Sequence, residues 1–397
     1  MNYNFDQLTD RRQYDPVKWD CDTSVLPMWV ADMDFETAPE IKSVLKERVN
    51  HGIFGYTDIP DRWYQLYQDW WQNRHHLTIE KDWLVYASGV IPVLSSSIRR
   101  LSAPGENVLV MTPAYNIFRN CIVNNGRNMV ECPLVCENTT SRESDEDMHY
   151  LIDFDAMDSL LSNPQTSLLL LCNPQNPTGR IWTAEELDRI GELCEKHGVL
   201  VISDEIHCDI LRPGASYVPF ASVNDRNARI SITAIAPTKC FNIAGIPTAA
   251  ALVPDSLLRH KVWRQLNTDE CGEPNAFSIV ACDAAFSQGE NWLNAMNRYV
   301  WENKLLVEKE LKKLAPELKI LKGDSTYLMW IDVRAWGEDD RKIGHRLKHE
   351  AGVWLSYGSQ YGNSGKGFLR LNVATQRERV LEGISRIAKG HELFLNH

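Results

Sequence analysis

Short apolar runs alternate with amphipathic segments over the first two-thirds of the chain. "WLVYASG", "NVLVMTP", "SLLLLCNP", "VLVISDEIH" and "ISITAIAPT" are aliphatic runs of strand length, each breaking into polar or turn-forming residues. Runs of this kind suit strands covered on both faces. The segments between them carry a helical period. "IPVLSSSIRRL" reads as a helix that admits Pro92 in its first turn, and "DFDAMDSLL" as a shorter one. "PEIKSVLKERV" sets Ile41, Val44, Leu45 and Val49 on one stripe. In "TAEELDRIGELCEKHG", Thr183 and Glu186 form a capping box, and Gly198 ends the helix just before the next strand. The alternation predicts an α/β fold, a mostly parallel central sheet sandwiched by helices.

The pattern changes further on. A long charged helix over about 292–314 precedes "STYLMWIDV", a helix near 342–350, "GFLRLNVA" and a final helix. This predicts a smaller α+β domain. The expected division is an N-terminal segment, 1–50, packed with the small domain, a large domain, 51–289, and the small C-terminal domain, 290–397. The polar "ENTTSRESDED" (Glu137–Asp147) reads as an exposed loop. "WYQLYQDWW" (Trp63–Trp71) has helical spacing, which points to core packing first and a dimer contact second. "YGNSGKG" (Tyr361–Gly367) resembles a nucleotide loop, but such a loop needs Ser or Thr after its lysine, and Gly367 follows Lys366. It is expected to be a turn.

Composition narrows the class. A net charge of −11 over 397 residues argues against nucleic acid or an anionic membrane as main partner, since both need a cationic face. No apolar run reaches membrane-spanning length, and the first residues lack a signal core. The ten cysteines stand singly, several within apolar runs (Cys172, Cys194, Cys208, Cys282), as suits a reducing cytoplasm. Cys132 and Cys136 lack a second matched pair, and no metal is expected.

Candidate chemistry collects where strands end, the place where parallel sheets gather ligands. Ser88, Gly89 and Val90 lie at a strand-to-helix turn suited to a phosphate. Asn173 to Gly179, with two Asn-Pro steps, follow an aliphatic strand. Asp204 ends "VLVIS", and Lys239 follows "ISITAIAPT", an unusual place for a lysine that is merely solvated. A phosphate cradle, a carboxylate, an amide and an amine around one pocket suit pyridoxal 5′-phosphate. The amine forms a Schiff base with the aldehyde, and the carboxylate keeps the pyridine nitrogen protonated.

"CNPQNPTG", "SDEIH", "PTKCFNIAG" and "FLRLN" together resemble the class I/II, fold-type I aminotransferase superfamily. With "WVADMDFETAP" and "HGIFGYT", the chain is similar to its bacterial cystathionine β-lyase branch of carbon–sulfur lyases. The resemblance implies Lys239 as Schiff-base and catalytic lysine, Asp204 on the pyridine nitrogen, Asn176 on the ring 3-oxygen and Tyr115 stacked on the ring. It implies a phosphate cup of Ser88, Gly89, Val90 and Thr238, joined by Tyr56 from a neighbouring subunit, hence a homodimer with shared sites. Arg370 would grip the α-carboxylate of a small amino-acid substrate, which its planar fork suits. His207 is placed in the cofactor-binding set, at a position where many aminotransferases of the class carry tyrosine. The arginine that many of them carry a few residues past the lysine is missing here, none occurring between Lys239 and Arg259. The expected reaction is β-elimination from cystathionine or a related L-cysteine S-conjugate. The alternatives are an aminotransferase and a non-catalytic regulatory protein, the latter disfavoured because a bare scaffold needs none of these side chains.

Overall fold

The computed structural model describes residues 3–138 and 148–395. Its main sheet has seven strands in the spatial order Leu84–Ala87, Ala249–Leu252, Ser231–Ile235, Leu200–Asp204, Thr166–Cys172, Asn107–Thr112 and Asn128–Pro133. Neighbours pair in parallel except Ala249–Leu252, which runs against both of its own. Alternate side chains of the "LLLL" run enter different cores. Leu168 and Leu170 join Val108, Val110 and Ile202 under the helices Val90–Leu101 and Ser256–Thr268. Leu169 and Leu171 join Leu109, Met111 and Val201 under Ala184–His197. Coverage of both faces is why the strand sequences show no polar alternation. The capping box at Thr183 and Glu186 is present, and Gly198 closes that helix with φ 70°.

A second sheet is antiparallel throughout, ordered Lys319–Leu321, Leu328–Asp332, Phe368–Asn372, Ser356–Tyr357. The helices Glu290–Leu314 and Arg377–Leu395 lie against one another beside it. The first residues reach this region: Leu26–Pro27 pairs with Val353–Trp354, and the Phe5 ring meets Trp292 and Tyr299. Trp63, Tyr67, Trp70 and Trp71 are all buried in the helix Asp61–His75, so that aromatic stripe is core.

Some expectations need correction. Val49 is exposed; the helix Pro39–His51 turns Ile41, Val44 and Leu45 inward, and in its last turn the inward side is taken by half-buried Arg48, whose Nε donates to the Ala276 carbonyl. Glu137 and Asn138 belong to the strand Val135–Asn138, paired with Met148–Leu151, rather than to a loop; the rest of the expected loop, 139–147, lies outside the described residues. The helix near 342–350 begins at Asp340 and changes to a π turn over Leu347–Ala351.

The two sheets meet at a glycine contact. Ser325 donates from N and Oγ to the Gly179 carbonyl (3.0 and 2.8 Å), and buried Lys304 donates to the Ser325 carbonyl at 2.8 Å. A Cβ on Gly323 would stand 2.4 Å from the Thr178 oxygen and 2.8 Å from Gly179 backbone atoms. Neither neighbour is a side chain that can swing away, so one loop must move. Gly323→Ala is therefore expected to lower the unfolding free energy by roughly 1–3 kcal/mol, the usual cost of overpacking. Urea denaturation beside the parent protein checks this; unchanged stability would mean that the loops do not touch as described.

Candidate active site

Five parallel strands deliver the expected residues to one edge of the main sheet. Ser88 and Gly89 follow Leu84–Ala87, and Val90 starts the next helix, whose N-terminus has no side-chain cap. Tyr115 follows Asn107–Thr112, Asn176 follows Thr166–Cys172, and Asp204 ends its own strand. Thr238 and Lys239 follow Ser231–Ile235. The bonds Thr112–Pro113, Asn173–Pro174 and Asn176–Pro177 are cis. Arg370 arrives from the other sheet, in the middle of Phe368–Asn372.

Arg370 is buried and joins the two sheets directly. Its Nη1 donates to Asn176 Oδ1 at 3.0 Å and its Nη2 to the Trp29 carbonyl at 2.8 Å. Its Nε is buried with no acceptor. The guanidinium also lies over the Tyr361 ring, 4.9 Å from its centroid. Because Arg370 occupies the amide oxygen of Asn176, the amide nitrogen is the end left to donate elsewhere.

Lys239 donates from Nζ to the Ala31 carbonyl, which also accepts from Tyr327 Oη at 2.9 Å. Burial lowers its pKa to about 8, with Asp32 and Asp204 working the other way and Arg370 adding to the fall. Asp204 shows the converse. Burial raises its pKa to about 7, against the Ile206 N–H, which donates to Oδ1 at 3.2 Å, and the Lys239 charge. No side-chain donor among the described residues reaches that carboxylate.

Tyr115 is half-buried; burial raises its hydroxyl to about 12, and it feels both Arg370 and Asp204. His207 is buried with its ring edge-on to Tyr327, 6.1 Å between centroids, and its Nδ1 has no partner. Burial, with the charges of Lys239, Arg370 and Lys304, drives its pKa down to about 3, so the ring is neutral at any working pH. Tyr56 stands apart. Its side chain is fully exposed beside Gly272–Pro274, one residue from Cys271, whose carbonyl accepts from Ser88 N. Within one chain it meets none of the other site residues. Arg259 is tied to the Val253 and Pro254 carbonyls.

Sequence reasoning missed Trp29, Ala31, Asp32 and Tyr327. Two of them act through main-chain carbonyls, which no residue type marks. Asp32 and Asp34 inside "WVADMDF" did carry a signal, since acidic residues within an apolar segment imply buried partners. A buried cluster of His75, Cys208 and Asp209 also exists. Its carboxylate is already taken by Arg74 (2.7 Å), His75 (3.0 Å) and Trp70 (3.1 Å).

Known proteins resemble this chain along nearly its whole length. Cystathionine beta-lyase PatB of Bacillus subtilis is 39% identical over 390 residues, covering 97% of this chain and 98% of its own. Protein MalY of Escherichia coli is 32% identical over 391 residues, covering 96% and 97%. Among solved structures, cystalysin from Treponema denticola, which contains a pyridoxal 5′-phosphate cofactor, superposes with a TM-score of 0.93 at 29% identity, over 99% of each chain. The PLP-bound C-S lyase from Staphylococcus hominis gives 0.90 at 31% identity over 98% of each. The family described as aminotransferase class I and II matches residues 23–387, and the chain belongs to that family, with its fold-type I architecture.

Proposed function

We propose that this protein is a pyridoxal-phosphate-dependent carbon–sulfur β-lyase. Its substrate is L-cystathionine or a related L-cysteine S-conjugate, and its products are a thiol, pyruvate and ammonia. The observation that carries this reading is the pairing of a desolvated amine, Lys239, with a buried carboxylate, Asp204, that has no cationic partner in hydrogen-bond reach. The likeness to PatB and to the PLP-bound C-S lyase from Staphylococcus hominis supports elimination over transamination.

The residues fit the cofactor. A buried carboxylate with its pKa near 7 wants a cation or a shared proton, and a pyridine N–H offers both. When bound, pyridoxal phosphate supplies an electrophilic aldehyde and an electron sink for the charge left on Cα. Lys239 Nζ would hold the cofactor at its aldehyde and is the base placed to take the Cα proton; with its pKa near 8 about a tenth of it is unprotonated at pH 7, against a few hundredths of a per cent for a lysine of ordinary pKa. Asp204 would hold the proton on the ring nitrogen. Asn176 would offer its amide nitrogen to the ring 3-oxygen, Tyr115 would stack on the ring, and Ser88, Gly89, Val90 and Thr238 would hold the phosphate. His207, neutral, would line the cofactor site with its unpartnered Nδ1. Arg370 orients the substrate carboxylate through Nε and the N–H groups that Asn176 and Trp29 leave free.

We further propose a cytoplasmic homodimer. Ile53 (67% exposed), Phe54 (54%) and Tyr56 form an uncovered apolar stretch beside the cup's edge. A second copy that covers it receives Tyr56 at its own phosphate.

Incubation with cystathionine and no 2-oxo acid is expected to yield thiol and pyruvate in equal amounts. Turnover that appears only after a 2-oxo acid is added would make the enzyme an aminotransferase instead. Lys239→Ala is expected to lose the borohydride-sensitive cofactor absorbance and about 10²–10⁴-fold or more of the rate. Survival of the covalent link would place it on another amine.

Asp204 gives a separate test in cofactor-free protein. A carboxyl whose folded pKa lies above its unfolded value costs stability when ionised. The cost is full above about pH 7 and vanishes as pH falls below about 4. Asp204→Asn is therefore expected to be roughly 2–4 kcal/mol more stable than the parent at pH 8 and no more stable at pH 4. Equal stability of the two proteins at pH 8, by thermal or urea unfolding, would remove the buried-charge argument.

A further inference from the structure

The segment Trp29–Phe35 belongs to neither sheet and has no helix or strand of its own, yet it touches both reactive cations. Trp29 O accepts from Arg370 and Ala31 O accepts from Lys239. On the main-sheet side, Asn242 brackets the segment: its Oδ1 accepts from Met33 N at 3.1 Å, and its Nδ2 donates to the Met33 and Phe35 carbonyls. On the other side Asn372 Nδ2 donates to the Val30 and Asp32 carbonyls, and Asp34 N donates to Ala374 O at 2.9 Å. The segment is a strap across the seam between the sheets.

Its anchor is a buried charge cluster. Asp34 Oδ2 accepts from Lys18 Nζ at 2.8 Å, both side chains 1% exposed, and Oδ1 accepts from Arg11 Nη1 and Trp19 Nε1, each at 2.9 Å. Arg11 also donates to both Asp32 oxygens and to the Met33 carbonyl. Burial works to raise the Asp34 pKa, but Lys18, Trp19 and Arg11 outweigh it and hold it at about 2. Removing two charges from water costs several kcal/mol per ion, and a well-packed apolar pair is often as stable. A buried ion pair is thus weak evidence for stability, and fixing a register is its best-attested use. Here the register in question is that of the two carbonyls facing Arg370 and Lys239.

We propose that Asp34, held by Lys18 and Arg11, is a positioning residue for the reaction: it fixes the Trp29–Phe35 strap so that the Trp29 and Ala31 carbonyls seat Arg370 and Lys239. The inference rests on the roles proposed above for those two side chains. Asp34 itself touches neither of them. Asp34→Asn keeps the shape and removes the charge. In the holoenzyme it is expected to speed amide hydrogen exchange of residues 29–35 at least about tenfold, leaving Leu200–Asp204 unchanged. It is also expected to raise KM for cystathionine about tenfold, more than it lowers kcat, as loss of a carboxylate seat does.

Leu311→Ala, a buried truncation in the long helix, shows what lost stability alone does, and no change in KM is expected from it. If Asp34→Asn does not fold, Arg11→Gln, whose side chain is a quarter exposed, is read in the same way. Unchanged KM in a variant whose strap exchanges faster would overturn the inference, as would exchange and KM values matching those of Leu311→Ala. A parent enzyme that forms no pyruvate would instead sink the lyase reading.

Discussion

Desolvation of the Lys239 amine is the constraint on which the rest of the site turns. An ammonium taken out of water is costly unless something nearby favours its charge, and here the balance is left close to neutral. Asp32 and Asp204 pull toward the charged form, burial and Arg370 away from it. Moving any of these groups would change how much free amine exists near pH 8. That explains why so much of the surrounding structure consists of restraints on a few carbonyls, a carboxylate and one guanidinium. One main-chain acceptor, the Ala31 carbonyl, holds Lys239 without adding a full negative charge at hydrogen-bond distance.

The parts of this arrangement that lie on strand ends were legible in the sequence. An apolar run followed at once by Asn, Asp or Lys signals both a buried strand and a polar group at its mouth. Each of Asn176, Asp204 and Lys239 stands there in the structure, at the edge that their parallel strands share. The capping box at Thr183 and the long helix were equally readable, because their signals are local. The strand Ala249–Leu252 went unread. Its "AAAL" has low strand propensity and earns its place by fitting small side chains between two other strands.

What escaped the sequence shares one physical feature: it acts through the backbone or across a long separation. Ala31 contributes an oxygen that any residue could offer. Trp29 meets Arg370 across 341 positions, and Lys239 meets Ala31 across 208. Periodicity and motif spacing carry no information about such pairs. Val49 failed for a related reason: the inward side of that last turn goes to Arg48, whose acceptor, the Ala276 carbonyl, lies 228 positions away.

The Arg370–Asn176 bond has a consequence for how substrate and cofactor sense one another. One donor–acceptor pair spans the seam between the sheets, and its two ends are proposed for different ligands. A carboxylate arriving at Arg370 draws on the guanidinium's remaining hydrogens, and any rotation that improves that contact pulls on Asn176 Oδ1. Asn176 has little freedom to follow. Its loop is fixed by Gln175, which donates to the Pro113 carbonyl at 2.7 Å, and by Ser325 on Gly179. The amide therefore resists, and Arg370 is held in one orientation before the substrate arrives. Preorganisation of this kind lowers the ordering cost of binding and favours substrates whose carboxylate already matches the fork. The strap reinforces it from the opposite side, because Trp29 O limits the same rotation at Nη2.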